Sequence, residues 1–371
     1  MSDNDLDHAF DQIWTVQPDR HNRFSSAWWF FYLFPEGDEG YGPEQLMVAV
    51  MANKNKLSEF NGLETEPMNL SREDGKEKFN SVINSWYSNK EELIEIVKDT
   101  SKTELSPKGR LEAFNKPASA GKNLVIESRS DERDGFQVHL KNSHYTLDFE
   151  TFNNSNEKGQ WPKENYNLDK LGLGANLINW TRMNFKGELK INGVKKDITG
   201  AAYFQRVCLH IPLMPWKWLY TVFPIGDVFI GFIPYLGLQH IRRTYKFSSK
   251  NHIEDLTWPI KTVGKWIKAE TGEIIEFDKV TIKTLLHDND APNFEIKAIK
   301  DEGAIKFTAH TEKDIKNVMK KPVLAGLTEN RYFYNEYIFS VEDFESTLNE
   351  IELNQPENGY GNFEYTWGQW L

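Results

Sequence analysis

The stretch that decides the fold is residues 197–237, DITGAAYFQRVCLHIPLMPWKWLYTVFPIGDVFIGFIPYLG. It is rich in apolar and aromatic residues, but it is interrupted by Pro212, Pro215, Pro224 and Pro234. A proline in a helix interior costs about 3 kcal/mol, and a membrane-spanning helix needs roughly 20 apolar residues in a row. The stretch is therefore predicted to be neither a long helix nor a membrane span.

Two antiparallel strands joined by a tight turn account for the second half of this stretch. Residues 216–223 and 228–233 are rich in β-branched and aromatic side chains, and Pro-Ile-Gly-Asp between them supplies the turn. Both faces of this hairpin are apolar or nearly so. We therefore expect it to be buried on two sides, as a barrel wall is when it packs against a second domain.

An aromatic stretch near the N-terminus repeats this pattern. Residues 28–38, WWFFYLFPEGD, end in Phe-Pro-x-Gly-Asp, as residues 223–227 do. The matching aromatic positions are Trp28 with Trp216, Phe30 with Trp218, and Tyr32 with Tyr220. Because internal repeats indicate related structural units, we predict two β-domains, residues 1–195 and 196–371.

One segment departs from the β pattern. Between about residues 72 and 98 the apolar residues fall near i, i+3, i+4 and i+7, a spacing that favours an amphipathic helix. The first positions concerned are Phe79, Val82, Ile83 and Trp86. Elsewhere short runs alternate apolar with polar residues, and residues 187–199 form a predicted hairpin on Asn192-Gly193. The prediction is an all-β chain with one helical insertion at 72–98.

Charge and cysteine content limit the range of functions. The chain has 371 residues and a formal net charge of −11, which argues against nucleic acid as a partner because a polyanion would be repelled. Cys208 is the single cysteine, so an internal disulfide framework is excluded and a reducing compartment is expected. The first residues, MSDNDLDHAFDQ, lack the apolar run of a signal peptide. We expect a cytoplasmic protein without stable membrane insertion.

Three segments together resemble the lipocalin-like family that includes carotenoid 1,2-hydratase (hydroxyneurosporene synthase) and the AttH-like proteins. Residues 28–31, WWFF, are similar to the opening aromatic strand of that family. Residues 187–207 occupy the place of a family hairpin and its central segment, and residues 359–368, GYGNFEYTWG, resemble the closing strand. The resemblance implies two lipocalin-like (calycin-type) β-barrel domains packed side by side and a hydrophobic small-molecule ligand.

The central segment departs from the family pattern. Where the family carries Asp-His, this chain has Gln205-Arg206, and the Trp-Gly that follows in the family is missing. Ala27 replaces the glutamate that precedes the family's aromatic pair. The acid chemistry that the resemblance assigns to Asp-His therefore does not carry over to this chain.

Hydration or cyclisation of an isoprenoid alkene needs a carboxylic acid to deliver a proton and aromatic faces to shelter the cation. Glu364, on the predicted closing strand, is the candidate acid, and a structural partnership with Arg206 is the alternative use for it. Tyr203 is the second candidate catalytic residue. Gln205 shares a strand face with Tyr203 and is a candidate ligand-binding residue, although both could instead satisfy backbone groups.

Aromatic side chains are candidates for lining a ligand chamber: Trp28, Phe30, Trp216, Trp218, Tyr365 and Trp367. Core packing is the alternative, since aromatic strands fill barrels routinely. No histidines and carboxylates have metal-ligand spacing, and no dinucleotide-binding motif is complete. Neither a metal nor a cofactor is expected.

Three functions are compatible with these features. The first is a cofactor-independent hydratase- or cyclase-like enzyme that acts on a hydrophobic, isoprenoid-like molecule in an aromatic-lined chamber. The second is a non-catalytic lipid or isoprenoid carrier, which the lost Asp-His pair favours. The third is a structural protein with filled barrels. The sequence leaves the ligand, the reaction and the oligomeric state open.

Overall fold

The computed structural model describes residues 12–16, 26–54, 59–115, 122–129, 135–152, 163–168, 173–209, 215–237, 257–285, 291–323, 328–351 and 359–370. The regular structure in these ranges is almost entirely β-strand. Within them, no helix has the length and apolar character needed to cross a membrane.

The strands are numbered in chain order. The first fifteen are β1 (Ser26–Gly37), β2 (Gly40–Tyr41), β3 (Gln45–Asn53), β4 (Glu59–Phe60), β5 (Leu63–Glu64), β6 (Ser71–Glu73), β7 (Lys76–Ser88), β8 (Leu93–Ser106), β9 (Arg110–Asn115), β10 (Lys122–Ser128), β11 (Phe136–Lys141), β12 (Tyr145–Phe152), β13 (Lys163–Leu168), β14 (Leu173–Ile191) and β15 (Val194–Leu209). The others are β16 (Trp216–Val222), β17 (Val228–Gly237), β18 (Thr257–Pro259), β19 (Val263–Ile267), β20 (Ile274–Phe277), β21 (Lys279–Leu285), β22 (Asn293–Lys300), β23 (Gly303–Val323), β24 (Thr328–Ser346) and β25 (Tyr360–Trp370).

Contacts divide the chain into two compact units. The first unit contains residues 1–36, 44–57 and 63–212, and the second contains residues 37–43, 58–62 and 213–371. The first unit extends past the predicted domain boundary at residue 195, because β15 pairs along most of its length with β14 and, over its second half, with β1.

In the first unit, ten strands close into an antiparallel barrel. They follow the order β12-β11-β10-β9-β8-β7-β3-β1-β15-β14, and β14 pairs back onto β12. The inward side chains form one hydrophobic core. In this core the ring centroids of Phe31 and Phe204 lie 4.7 Å apart, and those of Phe136 and Phe204 lie 4.3 Å apart. The described interior is therefore packed with side chains.

The second unit is a large antiparallel sheet around its own core. Its strands follow the order β20-β19-β17-β16-β25-β24-β23-β22-β21. In its core, the ring centroids of Phe294 and Phe363 are 4.0 Å apart and those of Phe223 and Trp266 are 4.6 Å apart. The predicted all-β fold class is confirmed.

The two aromatic strands of the sequence repeat occupy equivalent positions. β1 pairs with β3, the next long strand, and with β15, the last strand of the first unit. β16 pairs with β17, the next strand, and with β25, the last strand of the second unit. Each unit therefore holds its aromatic strand, β1 or β16, between the next long strand of the chain and its own final strand.

Both predicted hairpins are present. The amide of Phe223 donates to the carbonyl of Asp227 at 2.9 Å, and Gly226 adopts a φ of 82° between β16 and β17. Asn192 and Gly193 join β14 to β15 with φ values of 48° and 90°. Two consecutive positive φ angles are typical of the type I′ turn that Asn-Gly favours.

The predicted helical insertion at 72–98 is wrong. These residues belong to β6, β7 and the start of β8. Phe79 and Ile83 join the core of the first unit, while Val82 and Trp86 are buried on the other side of β7. Successive side chains of a strand point to opposite faces. A strand that is apolar on both faces therefore produced an apparent helical spacing.

A buried arginine fastens the N-terminal segment, residues 12–16, to the first unit. Arg206, on β15, is 1% exposed. Its guanidinium donates to the carbonyl oxygens of Thr15 at 2.6 Å and Val16 at 2.8 Å, and it lies 4.0 Å from the ring centroid of Trp29. Arg206 thus has a structural role.

Replacing Arg206 with methionine is expected to lower the free energy of unfolding by about 3 kcal/mol, because buried carbonyl groups lose a charged donor. Urea unfolding followed by tryptophan fluorescence measures the loss. Lys186→Met is the control, since the Lys186 side chain is 61% exposed, and a change below about 0.5 kcal/mol is expected for it. Equal losses in the two variants would contradict the anchoring role.

Candidate functional site

Glu364 is buried on β25, where it is 4% exposed. Its carboxylate accepts hydrogen bonds from Trp216 Nε1 at 2.8 Å and from the Tyr334 hydroxyl at 2.5 Å. Because β25 lies between β16 and β24, one strand from each side supplies a donor. Phe363 and Tyr365 point to the opposite face, into the core. We call the side that carries Glu364 the outer face of the second unit.

A second buried carboxyl group lies beside Glu364. Glu336, on β24, is its direct cross-strand partner and is 0% exposed. Opposed residues of an antiparallel pair share a face, with Cβ atoms about 4.5–5.5 Å apart. Asn317 donates to Glu336 at 3.4 Å and accepts from Asn61 at 2.7 Å. In these hydrogen bonds the donors are the indole of Trp216, the phenol of Tyr334 and the amide of Asn317. All three groups are neutral.

Aromatic rings surround the buried carboxyl groups. The ring centroid of Trp216 lies 6.0 Å from that of Tyr332 and 6.0 Å from that of Tyr334. Burial raises the pKa of the Tyr332 hydroxyl well above its ordinary value; the charge of Glu364 acts in the same direction, and a hydrogen bond with Thr366 opposes it. Tyr332 is therefore a neutral phenol at neutral pH.

The amide of Asn362 has no hydrogen-bond partner for either polar atom within the described ranges. It is 0% exposed and precedes Glu364 by two residues on the same face of β25. Its cross-strand neighbours are Tyr220 and Ile338. Buried polar side chains are almost always hydrogen-bonded, so this unsatisfied amide lowers the stability of the fold.

Other predicted site residues lie together in the first unit. Phe30 is the cross-strand partner of Gln205, and Tyr203 is that of Tyr32. The rings of Phe30 and Tyr203 are 5.7 Å apart. Trp28 shares this face of β1, which is turned away from the core of the barrel. The structure therefore groups Trp28, Phe30, Tyr203 and Gln205 in one unit, and Glu364, Trp216 and Trp218 in the other.

Tyr365 does not share the face of Glu364. Tyr365 is 0% exposed in the core of the second unit, with its ring 6.0 Å from Phe363, so core packing accounts for it. Trp367 is paired with Phe333, and its side chain lies outside the described residues. Arg206, the alternative partner expected for Glu364, binds backbone carbonyls instead.

Sequence reasoning missed the residues of β24 that complete the site. Residues 332–337 read Tyr-Phe-Tyr-Asn-Glu-Tyr, and strand alternation places Tyr332, Tyr334 and Glu336 on one face. That alternation could have been recognised in the sequence. The cross-strand pairing of Glu336 with Glu364 could not, because the sequence near a strand does not specify its register with a distant strand.

An open groove of about 700 Å³ lies on the first barrel, on the charged side of β10, β11, β12 and β14. Several of its ionic side chains are paired: Lys186 contacts Glu150 at 2.8 Å, and His139 contacts Asp148. Lys186 lowers the pKa of Glu150. In the part of the chain that the structure describes, no group of three or more histidine, cysteine and carboxylate side chains is arranged to hold a metal. The groove is therefore an open, charged surface with internal ion pairs.

Comparison with known proteins identifies the fold. A crystal structure of a candidate AttH protein from Nitrosomonas europaea matches with a TM-score of 0.53 and 12% identity, over 93% of this chain and 93% of that chain. A crystal structure of kievitone hydratase from Nectria haematococca matches with a TM-score of 0.46 and 12% identity, over 94% of this chain and 90% of that chain. No family model and no curated protein matches the sequence.

These findings define an AttH-like, lipocalin-type β-fold that carries a buried acidic site. At 12% identity, the AttH match concerns the fold alone. The likeness to kievitone hydratase is too weak to support an argument about this chain.

The buried tyrosine hydroxyls of this protein are expected to ionise at a higher pH than exposed tyrosines do. Burial raises the pKa of Tyr87 to about 12, aided by Glu44 and opposed by Asn89, and it raises that of Tyr332 still more clearly. The unfolded chain ionises tyrosine near about pH 10. The stabilisation is therefore complete below that pH and is lost as the pH rises through the folded-state values.

An ultraviolet base titration combined with unfolding measurements tests this. The Tyr332→Phe variant should lose less stability above about pH 10 than the parent protein does. Ionisation of Tyr332 together with the exposed tyrosines would contradict the expectation.

Proposed function

We propose that the chain is a cofactor-independent enzyme of the hydratase or cyclase type, acting on an apolar, isoprenoid-like small molecule at the outer face of the second unit. The observation that carries the proposal is the buried carboxyl of Glu364, bound by Trp216 and Tyr334 and facing Glu336. Burial and a neighbouring like charge favour the protonated acid, whereas the hydrogen bonds from Trp216 and Tyr334 oppose it, and we propose that the first two effects prevail. Such an acid can deliver a proton at neutral pH.

The chemistry proposed for Glu364 begins with transfer of its proton to one carbon of an alkene, which leaves a cation on the other carbon. In hydration, water adds to that cation and releases a proton that restores the acid. In cyclisation, a second double bond attacks the cation, and a neighbouring carbon then loses a proton to the Glu364 carboxylate, which restores the acid. Trp216, Tyr332 and Tyr334 supply ring faces that attract the positive charge.

On the face of β15 opposite to the core, Tyr203 is still predicted to be a catalytic phenol. Gln205 is still predicted to orient the ligand through its amide. Trp28, Phe30 and Trp218 stay predictions as ligand-contacting rings. The proposed location is cytoplasmic, because a single cysteine fits a reducing compartment.

A non-catalytic carrier of the same ligand is the second candidate. In the family that this sequence resembles, an Asp-His pair occupies the positions of Gln205 and Arg206. Arg206 instead donates hydrogen bonds to backbone carbonyls. A carrier would use the aromatic outer face for binding without proton transfer.

Organic extraction of the purified protein followed by mass spectrometry is expected to release a stoichiometric polyene, terpenoid or fatty chain. Native mass spectrometry of the intact protein gives the stoichiometry. If nothing is extracted and a lipid panel leaves the tryptophan fluorescence unchanged, the aromatic strands serve packing only, and both ligand hypotheses are abandoned.

Glu364→Gln is expected to lower turnover of the extracted compound by about a hundredfold or more, the usual contribution of a general acid. Binding should persist, because glutamine keeps the size of the side chain. Glu336→Gln is the matched control: it removes the facing carboxyl but keeps the bonds from Trp216 and Tyr334, so a smaller loss is expected.

The mass of the product distinguishes the two reactions, since hydration adds one water and cyclisation leaves the mass unchanged.

Undiminished turnover by the Glu364→Gln variant would exclude Glu364 as the acid. Binding without any turnover by the parent protein would establish the carrier.

A further inference from the structure

Three consecutive apolar residues are exposed at one edge of the second unit, and we call them the apolar ridge. They are Trp258, which is 57% exposed, Pro259, and Ile260, which is 54% exposed. Pro259 is opposite Tyr235, a residue of the core, so strand alternation turns Trp258 and Ile260 to the outer face. Adjoining exposed apolar side chains mark interaction surfaces, whereas single ones are ordinary.

The apolar ridge adjoins the candidate site. The amide of Ile260 donates to the carbonyl oxygen of Pro234 at 2.9 Å, and Pro234 is the cross-strand partner of Trp216. The indole of Trp216 in turn donates to Glu364. A row of neighbouring residues on the outer face therefore leads from the exposed ridge to the proposed acid.

Proline restricts what can cover the ridge. Among the described strands, β18 pairs only with β17, and an open strand edge normally invites another strand. Ile260 directs its amide towards β17, so the amide of the preceding residue would face the open edge. That residue is Pro259, which has no amide hydrogen to donate. Pairing with a further strand, from this chain or from a second copy, is therefore disfavoured.

The size of the ridge also argues against a protein partner. The exposed parts of Trp258 and Ile260 amount to roughly 250 Å², whereas a stable protein interface needs about 800 Å² from each partner. A lipid bilayer sets no such minimum, since single aromatic and aliphatic side chains enter the boundary between head groups and acyl chains. Lys261, which follows the ridge, is exposed, and its ammonium group complements the lipid phosphates.

We propose that the apolar ridge docks the protein reversibly on a lipid bilayer, with Trp258 and Ile260 inserted at the level of the head groups. An isoprenoid-like molecule partitions into membranes because it is apolar, so a bilayer is the natural source of such a substrate. This delivery role rests on the proposed function, whereas the docking itself does not. A zwitterionic surface is the expected partner, because the net charge of −11 opposes binding to anionic lipids.

Co-sedimentation of the full-length protein with phosphatidylcholine vesicles tests the docking. The parent protein is expected to bind, and Trp258→Ser combined with Ile260→Ser should lower the partition coefficient at least about tenfold. Ile225→Ser is the matched control, since Ile225 is 58% exposed in the turn that precedes β17, whereas the ridge adjoins the other end of that strand. The control variant should bind as the parent protein does.

Vesicles with brominated acyl chains supply a readout that a purely structural role would not move, because bromine quenches tryptophan fluorescence only at short range. Trp258→Phe should still bind, since phenylalanine keeps an aromatic side chain at the membrane boundary. Most of the quenching seen in the parent protein should disappear in this variant.

Three results with vesicles would overturn the inference. They are no binding by the parent protein, equal binding by the double serine variant, and quenching that persists in Trp258→Phe. Light scattering of the protein in solution tests the other occupant. A dimer that the double serine variant abolishes would make a second copy of this chain the partner, and the inference would be wrong.

Failure of the inference and failure of the proposed function are distinguishable. The extraction experiment and the turnover of Glu364→Gln do not involve the ridge, so a protein that ignores vesicles leaves the proposed function standing. An empty extract from a protein that binds vesicles through the ridge would refute the proposed function and leave the docking intact.

Discussion

The structure depends on pairing both edges of the aromatic strand of each unit, β1 in the first and β16 in the second. An unpaired edge exposes a row of amide and carbonyl groups that invites association with other chains. β1 and β16 are apolar on both faces, so an open edge on either would be especially prone to aggregation. Pairing with β15 and β25, the final strands of the two units, removes that liability.

The same arrangement creates the candidate site. Because β25 runs between β16 and β24, Glu364 meets an indole from one neighbour and a phenol from the other. Two carboxyl groups and an amide are buried on this face, which is costly for folding. Groups that cost stability and yet are placed together in an aromatic setting are typical of functional sites.

Much of the fold could be predicted, because it rests on local signals. Proline spacing, the turn at residues 224–227 and the Asn192-Gly193 hairpin specify strands within a few residues of the chain. The prediction of a helix was wrong for β7, because its apolar residues lie on both faces and their combined spacing resembles that of an amphipathic helix. The sequence analysis named two members of the candidate site, Glu364 and Trp216. Glu336 and Tyr334 come from a strand whose register with β25 is set by tertiary structure.

The anchor formed by Arg206 has a consequence for how the chain folds during synthesis. Its bond to Val16 joins residues 190 positions apart. The pairing of β1 with β15 spans a comparable length of chain, so the contact order of the first unit is high and its folding is expected to be slow. Until the ribosome has delivered β15, the carbonyl groups that Arg206 binds and the edge of β1 that β15 covers lack their native partners, and a nascent chain in that state is prone to aggregation and depends on chaperones.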